Sequence, residues 1–268
     1  MKVGVLAYKS SIKNTDIAAM MTENLRDWGY QTVIFSSPAE IVDVDVVIIL
    51  GGDGAILHSA IHAAKRKIKI IGINYGNLGF LTEYEKDEWQ KVKELLSAFE
   101  RGDCRILKRS VLEITVEGKR FYALNEMSVL RDSGFSAIDN PQILRMEVRS
   151  TEGVNRISGD GVLICTPTGS TAYSLSAGGA ILTPEVPVFM MTPVCAFSMR
   201  ARPTVFSDNE QFVLRITRGR ATLSLDGRAL IVIGENMQIQ VKKAPFTADF
   251  PVKGNTDFFE KVNNKLNE

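Results

Sequence analysis

The residues able to do chemistry in this chain gather in two short segments far apart in sequence. The first is Gly51-Gly52-Asp53-Gly54, one carboxylate among glycines. The second begins Gly159-Asp160-Gly161 and runs to Ser176. It carries the hydroxyls of Thr166, Thr168, Ser170, Thr171, Ser174 and Ser176 and the ring of Tyr173, with Gly169, Gly178 and Gly179 in or beside it. Glycine lets a backbone approach phosphate oxygens closely, and the first turn of a following helix offers unpaired amides to an anion. A carboxylate in such a turn, Asp53, can accept the proton of a hydroxyl as its oxygen attacks phosphorus. The second segment strings hydroxyls, backbone amides and one aromatic ring into a groove-like run. Together the segments read as a nucleotide phosphorylation site.

Each segment also has a purely structural explanation. Asp53 can cap a helix and its glycines can simply make a turn, while Ser, Thr and Gly favour turns in any case. No GxxxxGK[ST] motif occurs, and no GxGxxG follows a strand, so the common phosphate-binding loops are absent. His58 and His62 are spaced like two zinc ligands on a helix. The intervening residues are Ser-Ala-Ile, without the glutamate of HExxH, and no third ligand is evident. His58 is better read as facing a ligand one turn into the helix. The cluster from Val188 to Phe197 reads as core, and Arg200 and Arg202 as a solvated face.

The elements that must position these segments show in the hydrophobic spacing. Val3 to Ala7, Thr32 to Phe35, Asp45 to Leu50 and Ile68 to Ile73 are strand-like. The third is apolar almost throughout, as a strand buried on both faces of a parallel sheet would be. Helical spacing covers Thr15 to Trp28, Ala55 to about Lys67 and about Lys86 to Arg101. GGDG thus lies between a buried strand and a helix, at the carboxyl edge of a sheet where open α/β folds bind ligands. After Gly102 the pattern changes to short alternating segments, with turn signals at Glu117-Gly118-Lys119, Thr151-Glu152-Gly153, Arg218-Gly219-Arg220 and Asp226-Gly227. The fold class predicted is an α/β N-terminal domain followed by a mostly-β, sandwich-like domain. The boundaries expected are 1–101, 102–249 and 250–268, the last segment regaining helical spacing from Asp257 to Leu266 and packing back on the first domain.

A chain of 268 residues that is 45% apolar, 24% charged and balanced at +1 offers no general attraction to nucleic acid or anionic lipid. Its apolar runs are too short to span a membrane as a helix. Cys104, Cys165 and Cys195 are odd in number and lack CxxC spacing, which suits a reducing cytoplasm. The opening Met-Lys-Val-Gly-Val-Leu-Ala-Tyr is too short an apolar stretch for a signal peptide and reads as the first strand.

The ordered string from Thr166 to Gly179, TPTGSTAYSLSAGG, closely resembles the signature of the NAD kinase family. GGDG also fits that family, although phosphofructokinases and diacylglycerol and sphingosine kinases share it. Further patches agree: Asn125-Glu126, the segment GINYGNLGFLTE from Gly72 to Glu83, and Ser224-Leu225-Asp226-Gly227. The resemblance implies that Asp53 is the catalytic base and that Asp53, Gly54 and His58 belong to the nucleotide site. It also implies that Asn125 and Glu126 reach adenine and ribose hydroxyls, Asp160 and Ala172 meet the nicotinamide end, and Tyr173 packs near adenine. Thr168 and the run Thr171, Ala172, Tyr173, Ser174, Leu175 and Ser176 would line the dinucleotide. The chain departs from the family's frequent residues at Ala55, Ser158 and Arg228, which leaves Arg156 and Arg228 as candidates to neutralise the new 2′-phosphate.

The activity implied is transfer of a phosphoryl group from ATP to the 2′-hydroxyl of the adenosine ribose of NAD. A divalent cation, with magnesium expected, would bridge the donor phosphates, and no protein metal ligand is assigned. A homodimer or homotetramer is the expected assembly. Two rival classes stand beside this one. A lipid or sugar kinase would use GGDG but not the groove from Thr166 to Ser176, and a dinucleotide sensor would bind NAD without needing Asp53.

Overall fold

The computed structural model describes residues 1–7, 13–76, 79–132, 143–254 and 258–266. Two units emerge from it. One is made of Met1–Lys108 and Phe246–Glu268, the other of Arg109–Pro245.

In the first unit, β1 (Lys2–Ala7), β2 (Gln31–Phe35), β3 (Val46–Leu50), β4 (Lys69–Asn74) and β5 (Tyr84–Glu85) form one sheet in the order β2-β1-β3-β4-β5. Every pairing in it is parallel. The Val-Val-Ile-Ile-Leu run of β3 is buried at all positions, because a central parallel strand is covered on both faces. Helices α1 (Lys13–Asp27), α2 (Asp53–Ala64) and α3 (Trp89–Arg101) accompany the sheet. On α3 the buried Val92, Leu95 and Leu96 recur at helical spacing and join the same core as Val3, Ile48 and Ile71. A two-stranded ribbon of β6 (Arg105–Arg109) and β19 (Ala248–Val252) lies alongside, with most of its length in this unit. The C-terminal helix Phe258–Leu266 belongs here as well, with Val262 buried. Asp257, expected to open that helix, lies outside the described residues.

Two helix starts differ from the spacing-based expectation. α2 begins at Asp53 rather than Ala55, since Gly52 is extended and its carbonyl already accepts the N–H groups of Ala55 and Ile56. α3 begins at Trp89 rather than Lys86, because Tyr84 and Glu85 are drawn into pairing with β4.

The second unit is a sandwich of two six-stranded sheets. One has the order β11-β10-β15-β18-β7-β8, built from β7 (Leu112–Val116), β8 (Lys119–Ala123), β10 (Leu144–Ser150), β11 (Gly153–Gly159), β15 (Phe212–Arg218) and β18 (Gln238–Lys243). The other has the order β14-β13-β12-β9-β16-β17. Its strands are β9 (Glu126–Arg131), β12 (Gly161–Cys165), β13 (Val188–Val194), β14 (Thr204–Ser207), β16 (Ala221–Leu225) and β17 (Arg228–Ile233). Alternate residues of both sheets, among them Ile114, Met146, Leu214, Val129, Ile164 and Leu223, make one core between them. Three of the four turn signals close antiparallel hairpins, whereas Arg218-Gly219-Arg220 carries the chain from one sheet to the other.

The apolar cluster after Val188 is only partly core. Phe189, Met190 and Met191 are buried in β13, but Phe197 is exposed, because the chain leaves the sheet beyond Val194 through a left-handed Cys195.

Candidate functional site

In the first unit, the parallel sheet delivers Asp53 to the carboxyl end of β3. The side chain does not cap its own helix. Its carboxylate reaches across to the segment after β4, where Oδ2 accepts the N–H of Phe80 at 2.8 Å and Oδ1 that of Leu81 at 2.9 Å. Two charge-assisted bonds from rigid backbone hold both oxygens in a fixed plane. Gly79 makes this possible, since a Cβ there would overlap Asp53 Oδ1 and lie 2.6 Å from Thr82 Oγ1. A third donor comes from the C-terminal helix: Lys265 Nζ stands 3.4 Å from Asp53 Oδ2 and 4.4 Å from the centre of the Phe80 ring. One turn earlier, Lys261 Nζ reaches the Glu83 carboxylate at 2.9 Å and the Thr82 carbonyl at 3.2 Å.

Gly54 follows, exposed, in the first turn of α2, and His58 lies partly buried one turn further on. His62 has its proton affinity lowered, first by burial and then by Arg66, His58 and Lys65. Among the described residues, no group of three or more His, Cys, Asp or Glu side chains is arranged to hold a metal ion.

In the second unit, Asn125, Glu126 and the turn from Thr166 gather at the start of β9, whereas Asp160 lies beside Arg131 at the far end of that strand and is not brought to them. Asn125 and Glu126 are held there from two sides. From the β16–β17 turn, Asp226 adopts a left-handed conformation (φ 47°) and accepts three backbone N–H groups, those of Leu124 at 2.9 Å, Asn125 at 2.8 Å and Glu126 at 3.1 Å. From the end of β12, Thr166 donates its hydroxyl to the Leu124 carbonyl at 2.6 Å, and its N–H to that of Asn125 at 2.9 Å. A side chain at Gly169 would overlap the Asn125 carbonyl, so the hydroxyl-rich turn packs directly on this peptide.

The result is a pair of polar side chains whose backbone is fixed and each of which keeps one oxygen unused within the fold. Asn125 Oδ1 and Glu126 Oε2 are both buried with no hydrogen-bond partner. Buried acceptors of this kind are costly to a fold unless a ligand satisfies them. Burial, and secondarily the charge of Asp226, pushes the Glu126 carboxyl up to about 7. Burial also raises the proton affinity of Asp226, against the pull of its three amides and of Arg228.

The hydroxyl run divides into groups that build the turn and groups that face outward. Ser170 Oγ bonds the Pro167 carbonyl at 2.7 Å and accepts the Leu182 N–H at 3.0 Å. Buried Ser174 pairs with the Thr192 hydroxyl at 2.9 Å. Thr168 accepts from Arg109 Nη1 at 3.2 Å, and Thr171 donates to the Thr168 carbonyl at 3.3 Å. Tyr173, 40% exposed, and Ser176 turn to solvent, with Ala172 and Leu175 partly buried between them. The turn and the short helix that follow β12 span Thr168–Thr171 and Tyr173–Ser176.

Asp160 sits between β11 and β12, its carboxylate 3.2 Å from Arg131 Nη2. Ser158 is two residues earlier, opposite Arg145 on β10. The two arginine candidates separate clearly. Arg156 binds Glu147 at 2.9 Å on the neighbouring strand, while Arg228 opens β17 beside Asp226 in the turn that holds Asn125 and Glu126.

Several contributors were invisible in the sequence. Backbone amides at Phe80 and Leu81 carry no side-chain signal, although they fall within the GINYGNLGFLTE segment, of which Asn77 and Leu78 lie outside the described residues. Arg109 and Lys265 belong to no motif. Asp226 was marked by its turn but not by its grip on three amides.

Residues 8–104 match the family model described as the ATP-NAD kinase N-terminal domain, and residues 124–251 that of the ATP-NAD kinase C-terminal domain. An NAD kinase of Carboxydothermus hydrogenoformans is 38% identical over 232 residues, covering 84% of this chain and 80% of the relative. The crystal structure of an NAD kinase from Archaeoglobus fulgidus in complex with ATP has a TM-score of 0.79 and 26% identity, covering 100% of this chain and 99% of the other. A yeast NADH kinase complexed with NADH shares the fold, with a TM-score of 0.86 at 23% identity, covering 100% of this chain and 87% of that one. With both domain models matched in order along the sequence and a relative 38% identical over 84% of its length, the chain belongs to the NAD kinase family.

Proposed function

We propose that Asp53 is the general base of the NAD kinase reaction in this chain, in which the terminal phosphoryl group of ATP passes to the 2′-hydroxyl of the adenosine ribose of NAD. The 2′-oxygen forms a bond to the γ-phosphorus, the bond from that phosphorus to the β,γ-bridging oxygen breaks, and ADP leaves. The proton of the hydroxyl goes to the Asp53 carboxylate. In a loose phosphoryl transfer this proton departs late, so orientation of the acceptor matters more than the strength of the base. The double amide clamp on Asp53 supports that role, because it fixes the position of the carboxylate.

Asn125 and Glu126 are the acceptor-binding pair: the amide meets adenine, and the carboxylate receives ribose hydroxyls. The unpartnered Asn125 Oδ1 and Glu126 Oε2 carry this reading. Tyr173 packs near adenine, Asp160 and Ala172 take the nicotinamide end, and Thr168, Thr171, Leu175 and Ser176 form the wall between, with Ser174 bonded inward to Thr192 beneath them. Gly54 and His58 contact the nucleotide from α2. Ser158 stands where relatives often carry a basic residue, and Arg228 neutralises the new 2′-phosphate in its place, since Arg156 is committed to Glu147.

A divalent cation, magnesium by preference, supplies charge neutralisation on the donor phosphates. The reading extends to a cytoplasmic homo-oligomer. Three free cysteines suit a reducing compartment, and exposed Leu230 and Val232 on the edge strand β17 offer apolar surface for self-association.

The test is incubation with magnesium-ATP and NAD, followed by detection of NADP, for the native chain and for Asp53→Asn. The native chain makes NADP, and the variant loses at least about a hundredfold in kcat while its affinity for NAD stays within a few fold. A near-normal kcat for Asp53→Asn would remove the base from the mechanism.

A further inference from the structure

We infer that Lys265, on the C-terminal helix, is a positioning residue for phosphoryl transfer that acts through Asp53, an inference that rests on the general-base reading above. The two residues are 212 positions apart in sequence, yet the ammonium stands 3.4 Å from Asp53 Oδ2. The same ammonium lies 4.4 Å from the centre of the Phe80 ring, over which a cation is attracted to the π face. Phe80 is therefore used twice. Its N–H binds Asp53 Oδ2, and its ring seats the lysine that approaches the same oxygen.

The arrangement treats the two carboxylate oxygens unequally. Oδ2 receives the Phe80 amide and faces the Lys265 charge, whereas Oδ1 receives the Leu81 amide. Two amides and one ammonium fix the plane of the carboxylate, and with it the direction in which its oxygens meet an acceptor hydroxyl. Lys265 also offsets the negative charge of Asp53, easing the approach of a polyanionic donor to a carboxylate. Side-chain exposures of 32% for Lys265 and 25% for Asp53 leave the pair only partly screened by water.

The neighbouring Lys261 supplies the contrast. It anchors the same helix through Glu83 and the Thr82 carbonyl, and no contact of it with Asp53 is found among the described residues. If the helix mattered only by docking, both lysines would matter alike.

The experiment measures kcat and KM for NAD and ATP in Lys265→Met, Lys265→Arg, Lys261→Met and Asp53→Asn, and in the double variant Asp53→Asn/Lys265→Met. Folding is checked by thermal denaturation, and Lys265→Gln carries the same test if the methionine variant fails to fold. Lys265→Met is expected to lower kcat by about tenfold with KM for NAD little changed, and Lys265→Arg to recover most of the loss. In the Asp53→Asn background, Lys265→Met should cost nothing further, because a residue acting through Asp53 has nothing left to position. A kcat for Lys265→Met within twofold of native, an equal loss in Lys261→Met, or additive losses in the double variant would each overturn the inference. An unimpaired Asp53→Asn would instead overturn the general-base reading beneath it.

Discussion

Glu126 and Asp226 are joined by a reciprocal pair of hydrogen bonds: the N–H of Glu126 donates to the Asp226 side-chain Oδ1 at 3.1 Å, and the N–H of Asp226 donates to the Glu126 carbonyl at 3.0 Å. A hairpin turn thereby fixes the residue that presents a buried, unpartnered carboxyl oxygen. The cost falls on the Glu126 side chain, which is 5% exposed and sits near a second carboxylate.

This predicts a pH dependence of NAD binding. The Glu126 carboxyl is raised from 4.5 to about 7, and its ionised form is the one able to receive two ribose hydroxyls. Affinity is then full well above pH 7 and falls as the pH drops through it, by about tenfold between pH 8 and pH 6 if only the carboxylate binds. Calorimetric titration of NAD across that range measures the slope, and Glu126→Gln should abolish it. Stability runs the other way. A carboxyl whose folded value lies above its unfolded one favours the folded state fully below pH 4.5, and that contribution is lost as pH rises to about 7. Glu126→Gln should therefore stabilise the chain at pH 8, by on the order of 3 kcal/mol at most, and do little at pH 4. A flat binding profile in the native chain would refute the role of Glu126.

Asp226→Ala removes the acceptor of three backbone N–H groups at once. Leaving buried donors unpaired costs about 1 to 3 kcal/mol each, so this variant should be among the most destabilising single changes in the second unit. Asp226→Asn keeps one acceptor oxygen and should lose clearly less. Chemical denaturation compares the two, and equal losses would show that the amides find other partners.

Tyr173 is 40% exposed, so its ring contributes little to the core. Tyr173→Ala should shift the melting temperature only slightly, yet weaken NAD binding by about 1 to 3 kcal/mol through lost stacking. The separation of the two effects is the point. An unchanged Kd would leave Tyr173 as a surface aromatic with no part in the site.

Gly79→Ala would force the segment at Phe80 and Leu81 away from Asp53, because its methyl overlaps Oδ1. Loss of kcat by at least about tenfold is expected, in line with the cost of small misplacements at a reacting group. Gly54→Ala makes an informative contrast, as nothing lies within 4 Å of a Cβ there. It should stabilise the helix by up to about 1 kcal/mol while raising KM for ATP, if the backbone at Gly54 meets phosphate. Steady-state kinetics with ATP as the varied substrate decides this.

The sequence by itself determined the layer pattern and the chemistry-bearing residues. The continuous apolar run of β3, the helical spacing of α3 and the glycine-marked hairpins are local signals, because burial repeats with the period of the element that carries it. The strings around Asp53, Asn125 and Thr166 to Ser176 announced the residue types that phosphoryl transfer to a dinucleotide needs. Tertiary structure alone decided what holds them. Asp53 is clamped by amides at Phe80 and Leu81 and approached by Lys265, Asp226 gathers the amides of Leu124 to Glu126, and Ser174 turns inward to Thr192. None of these leaves a periodic trace, since each joins residues brought together only by the path of the chain. Most of them use backbone N–H groups, which every residue but proline possesses and no side-chain pattern distinguishes. The elevated proton affinity of Glu126 has the same origin: it comes from burial and a neighbouring carboxylate, both set by packing rather than by the residue itself.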